Sequence, residues 1–234
     1  MTDATAKITT VVVSALVILA MLGISWWHID TSREQILESN ALVAARSYAD
    51  TFVSLRAYYT REVVSRVPGD RVAVTHDYKD IMNAIPLPAT LTIELAEEVG
   101  KLSEGFSAQL YSNHPWPWRA ASRQLDGFAQ RALETLTADP DQPFYEIDQS
   151  GEERYLRYAA ADTMKPACVA CHNSHPQSPK KDWAVGDLVG VLEISMPLRM
   201  PLADMVNTFD YLIISFIIGG IILITLVIWV VGRR

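Results

Sequence analysis

Two stretches of this chain, Ile8 to Trp27 and Tyr211 to Gly232, contain no charged residue. Each is about 20 residues long, the length a helix needs to cross a bilayer core of roughly 30 Å. A helix on a water-soluble core keeps a polar face over such a length, so both runs are expected to be transmembrane helices. A cleaved secretory signal is the alternative for the first run, with Lys7 as its basic n-region. No small-x-small cleavage site follows, however; Trp26, Trp27 and His28 close the run as an interfacial aromatic belt does. Arg233 and Arg234 come directly after the second run and place the C-terminus in the cytoplasm. With two spans the N-terminus shares that side. The expected order is 1–7 cytoplasmic, 8–27 spanning, 28–66 an outer stalk helix, 67–210 a folded domain with its return to the membrane, 211–231 spanning, and 232–234 cytoplasmic.

Of the 20 basic residues 17 fall between the runs, and of the 27 acidic residues 26, which leaves the outer segment near −9. Such a surface repels nucleic acid and suits a basic or neutral partner. From Ser32 to Arg66 there is no Pro or Gly, and Ala41, Ala45, Tyr48, Phe52, Leu55 and Tyr59 recur at steps of three and four. That seam fits a long helix packed on a sheet of its own chain or on a second copy in a homodimer. Pro68-Gly69-Asp70 ends it. Beyond, helices are expected over Pro88–Leu102 and Ala121–Leu136, and a strand over Phe106–Tyr111. A hairpin of Phe144–Asp148 with Arg154–Ala160 and a last strand through Leu188, Gly190, Leu192, Ile194 and Met196 complete the set. Helices flanking a small, mostly antiparallel sheet make an α+β module.

The only two cysteines stand in Cys168-Val169-Ala170-Cys171-His172. Cys-x-x-Cys-His is the attachment signal for c-type haem. The thiols add across the two haem vinyl groups, and the next residue offers its imidazole to the iron. A disulfide between these cysteines would close a strained small loop. A zinc site of Cys168, Cys171, His172 and His175 would crowd four ligands into eight residues, where zinc sites spread theirs. A thioredoxin-like pair opens a helix after a strand, and Pro166 with Asn173-Ser174-His175-Pro176 argues for a loop instead. One covalent haem c, with His172 as metal ligand, is the expected reading. For the second axial position His76 is favoured over His114, His175, His28 and the methionines; an open site lined by Tyr58 and Tyr59 is the alternative.

The outer segment also resembles a known family over about residues 40 to 198. The resemblance runs through Ala57 to Val64, Thr75 to Asp80, Ala84-Ile85-Pro86-Leu87-Pro88-Ala89-Thr90 and Leu110 to Arg119. It continues in Pro143 to Tyr145, Leu156 to Ala159, Pro166 to Pro176, Asp182-Trp183, Val185 to Asp187 and Gly190 to Glu193. These stretches are similar to the c-haem, PAS-like periplasmic input domain of bacterial histidine kinases and nucleotide cyclases, long catalogued as a domain of unknown function. The resemblance implies a PAS-like antiparallel sheet with flanking helices, with the haem held against it through His172. Together with the long N-terminal helix and the two apolar runs, the expected chain sets this module between two transmembrane helices of the bacterial inner membrane, with the main domain periplasmic. Sensor members carry an output domain after the second span, and here only Gly232-Arg233-Arg234 follows. Two functions remain, and neither is an enzyme. One is a haem redox subunit, a monohaem cytochrome passing electrons within a membrane complex. The other is a redox- or gas-sensing subunit that signals through its transmembrane helices to a separate partner.

Overall fold

The computed structural model describes residues 2–121, 125–149, 151, 153–198, 213, 214, 216–222, 224, 225, 228 and 229. Two compact units emerge, Met1–Leu37 with Arg199–Arg234, and Glu38–Leu198. Helix α1 (Thr2–Glu62) takes in the first apolar run and continues well past it. The second apolar run is described only in part. Among the described residues no helix is long and apolar enough to cross a membrane, so the two spans stand as a reading of the sequence. Within the first unit the two runs meet: a Cβ on Gly220 would lie 4.0 Å from Ile18 Cγ2.

The second unit is an α+β module. After α1 and a 3₁₀ turn at Val64–Arg66 come β1 (Ala73–Thr75) and β2 (Ala84–Pro86), a short parallel pair absent from the sequence reading. Helix α2 (Pro88–Leu102) matches the expected segment, with Pro88 in its first turn, where a missing N–H costs nothing. Then follow β3 (Ser107–Tyr111), a short α3 (Pro117–Ala120), α4 (Gly127–Ala138), β4 (Phe144–Asp148), β5 (Tyr155–Thr163), α5 (Pro166–Ser174) and β6 (Leu188–Pro197). The main sheet is antiparallel throughout in the order β3-β6-β5-β4.

Side chains alternate across this sheet, and each face has its own core. On one face Leu156, Tyr158, Leu192 and Ile194 meet Ala45, Ala49 and Phe52 of α1 and Ala96 of α2. On the other, Tyr111, Ala159 and Val191 meet Phe128, Ala129, Ala132, Leu133 and Leu136 of α4. The α1 seam is thus spent on the sheet of its own chain through Ala45 and Phe52, while Tyr48 and Leu55 stay partly exposed. Helix α4 starts at Gly127, later than the expected Ala121, because Asp126 caps it: its Oδ1 accepts from Ala129 N at 2.9 Å. Residues 122–124 of the expected helix lie outside the described residues, as do Ser150 and Glu152 of the hairpin turn. Strand β5 runs on to Thr163, with a bulge at Asp162/Thr163 where it pairs with β6.

Gly190 on β6 sits where any side chain would collide with β3: a Cβ there would lie 2.6 Å from the Tyr111 carbonyl oxygen. Gly190→Ala must push backbone against backbone. Its expected cost is about 1–3 kcal/mol, read as a lowered midpoint when unfolding is followed by circular dichroism.

Candidate cofactor site around the Cys168 helix

The segment expected to be a loop is a helix. Lys165 caps α5, Pro166 opens it, and Cys168 N donates to Lys165 O at 2.9 Å. Proline here starts a helix, since its fixed φ suits the first position. Side chains three and four residues apart share a helix face, so α5 presents Cys168, Cys171 and His172 on one side. Both thiols are free, Cys171 exposed and Cys168 half-buried. The helix also follows a strand, so the strand–helix objection to a thioredoxin-like pair falls. Another takes its place: although the residue as a whole is exposed, partial burial, with Cys168 adding, pushes the Cys171 thiol up, whereas a redox nucleophile is held low. Burial holds His172 below the usual histidine range; Asp162 opposes this, and His175 and Arg56 add to it. The imidazole is therefore neutral at pH 7, the form that ligates a metal.

Around His172 the chain gathers four of its five histidines and three tryptophans. Trp116 meets His172 edge-on with ring centroids 5.1 Å apart, and meets His175 at 5.0 Å. Trp118 stacks on Trp116 at 4.8 Å, and His76 stacks flat on Trp118 at 4.0 Å. Trp183 closes another side, edge-on to His172 at 6.4 Å and to His114 at 5.5 Å. Asn173 fixes Trp183 by two reciprocal bonds of 2.9 Å: its amide donates to Trp183 O, and Trp183 N donates to its Oδ1. Asn173→Ala removes both bonds and leaves Trp183 N without a partner in a part-buried place. Exchange of the Trp183 amide should speed up by the equivalent of about 1–3 kcal/mol, measured by hydrogen–deuterium exchange.

With this geometry in place, a family model described as Tll0287-like matches residues 33–197, most of the chain. The chain belongs to the Tll0287-like family. Comparison with curated proteins and with solved structures yields no match.

In this Tll0287-like chain the residues favoured by the sequence are only partly brought together. His76 joins the cluster, but two indoles lie along its ring-to-ring path to His172. His114 and His175 join as well, so three histidines are candidates for the second axial position. Tyr59 is committed elsewhere: its hydroxyl donates to Pro86 O at 2.9 Å and ties α1 to β2. Tyr58 is exposed, with the Arg61 guanidinium 5.6 Å from its ring centre. Among the described residues no three His, Cys, Asp or Glu are grouped to hold a metal ion.

The Tll0287-like site also uses residues the sequence reading passed over. Arg56 of α1 and Asp162 at the end of β5 form an ion pair, with side chains 15% and 12% exposed, and both act on His172. Trp116, Trp118 and Trp183 were visible in the sequence as an unusual density of tryptophan near histidine, but not as walls of one site. Beside the site Lys180 pairs with Asp182 at 2.8 Å and lies 4.6 Å over the Trp183 ring, and Lys165 donates to Thr163 Oγ1.

Proposed function

We propose that this chain is a membrane-anchored periplasmic protein carrying one covalent haem c, and that it serves as a redox subunit of a membrane complex. The observation that carries this reading is the single face of α5 shared by Cys168, Cys171 and His172. One turn of helix separates the thiols, as two thioether bonds to one porphyrin require, and the next residue is a neutral imidazole. These residues fit the group. Bound there, haem supplies a one-electron couple whose potential follows axial ligands, burial and nearby charge.

The chain's own residues supply those controls. His172 is the proposed proximal ligand and His76 the proposed distal one. Trp116 and Trp183 exclude water from the His172 side, and Asn173 holds Trp183 in place. Arg56 and Asp162 set opposed charges close to the ligand. The sheet with its flanking helices is read as a PAS-like module. Anchoring is supported by the apolar side chains of α1 from Val12 to Trp27, which project outward where a water-soluble protein would bury them.

A redox titration with spectra of the ferrous protein, with and without CO, tests the relay. The expected outcome is a low-spin, six-coordinate haem in both oxidation states that binds CO slowly. His76→Ala should turn it high-spin and speed CO binding; an unchanged spectrum would pass the distal role to His114 or His175. The sensor reading keeps one observation of its own. Arg56 and Asp162 link the helix that carries the first apolar run to the edge of the site. Fast CO binding by the parent protein, or a ligand exchange on reduction, would favour that reading.

A further inference from the structure

Trp183 lies in the segment between α5 and β6 and is only 5% exposed. Its indole nitrogen, Nε1, is buried and meets no acceptor. An indole N–H can only donate, and a buried tryptophan ordinarily finds a partner for it. Left unmade, the bond to water is lost on folding and nothing replaces it.

The groups around the ring do not supply that acceptor. Lys180 lies 4.6 Å over the ring, but its ammonium is itself a donor. Asp182 Oδ1 pairs with Lys180, Asp187 Oδ2 accepts from Ala184 N, and Asn173 Oδ1 accepts from Trp183 N. His172 and His114 meet the indole edge-on, at 6.4 and 5.5 Å between ring centroids. The donor is also held in place. Asn173 is the neighbour of His172 on α5, and its two bonds to Trp183 tie the indole to the helix that carries both cysteines. A donor fixed beside the attachment helix, with no acceptor in the protein, points to an acceptor that arrives with a ligand.

We propose that the Trp183 indole N–H binds a haem propionate. The inference rests on the haem reading above and adds to it the protein group that receives one of the two carboxylates. An ionised carboxylate only accepts, which is what a lone N–H requires. Lys180 is already balanced by Asp182, so the N–H itself carries the interaction. By spreading the charge of the propionate it favours the ferrous state, since hydrogen bonds around a haem and nearby charge set its potential.

Trp183→Phe keeps an aromatic ring and removes the N–H. Benzothienylalanine incorporated at position 183 keeps the two-ring outline too, with sulfur in place of N–H, and covers the case where phenylalanine packs poorly. Both are made in the full chain in detergent, with haem attached and again in a Cys168→Ala, Cys171→Ala background. With haem, the reduction equilibrium should move about threefold toward the ferric form, about 30 mV for one electron, and the unfolding midpoint should fall. Without haem the midpoint should stay or rise, because the N–H has no bond to lose. An unchanged potential in the benzothienylalanine chain overturns the proposal. An equal fall of the midpoint in both backgrounds overturns it too, by giving the N–H a partner in the protein or in bound water. A parent chain that acquires no haem overturns the haem reading itself, and this inference with it.

Discussion

A Cys168→Ala, Cys171→Ala double variant is expected to emerge colourless from a host competent for c-type maturation, while the parent protein stays red on a denaturing gel. The size of the effect follows from geometry. The two thiols stand one helical turn apart on α5, and no other cysteine exists to replace them. Each single variant keeps one thioether and should retain a weakened, partly lost haem. His172→Ala separates attachment from ligation: both thioethers can still form, so the colour should survive denaturation while the low-spin spectrum disappears. Loss of colour in His172→Ala equal to that in the double cysteine variant would mean that His172 serves attachment itself.

The second large effect is expected at Asp162. Its pair with Arg56 is mostly shielded from solvent, so little screening reduces the interaction. Asp162→Ala leaves the Arg56 guanidinium buried beside His172 without its counter-charge. Breaking a buried pair from one side costs about 3–5 kcal/mol, and the midpoint of denaturant unfolding should fall accordingly. Replacing both partners with apolar residues, Arg56→Met with Asp162→Leu, should recover much of that loss, because no orphan charge remains. If the single change is nearly neutral, water reaches the pair and α1 is held by its apolar contacts alone.

What the sequence disclosed divides along a physical line. Local signals read well: Pro88 and the apolar Leu91, Leu95, Val99 and Leu102 at helical spacing marked α2 from end to end. The alternation of β6 told which residues share the face turned to α1 and α2, but not that the opposite face is packed as well: Val191 is buried under α4 and Glu193 beside Arg157. The start of α4 was misjudged because its apolar spacing was weighed above the cap at Asp126. Helix α5 was missed because Pro166 was taken as a breaker, and because Pro-Ala-Cys-Val-Ala-Cys-His-Asn-Ser shows no amphipathic stripe. The Cys-x-x-Cys-His motif needed only adjacency and was plain. The walls of its site were not: Arg56, the Trp116–Trp118 segment and Trp183 arrive from three separate parts of the chain, and only the folded sheet brings them together. Tyr59 shows the converse, a residue singled out for the site whose hydroxyl is engaged by Pro86.

The central claim is that Cys168 and Cys171 hold one haem covalently. Its most direct measurement is the intact mass of the full chain, expressed with the c-type maturation machinery and treated with a thiol-alkylating reagent under denaturing conditions. The account predicts a mass increased by one haem and no alkylation at either cysteine. A mass equal to the bare chain with both cysteines alkylated would contradict it.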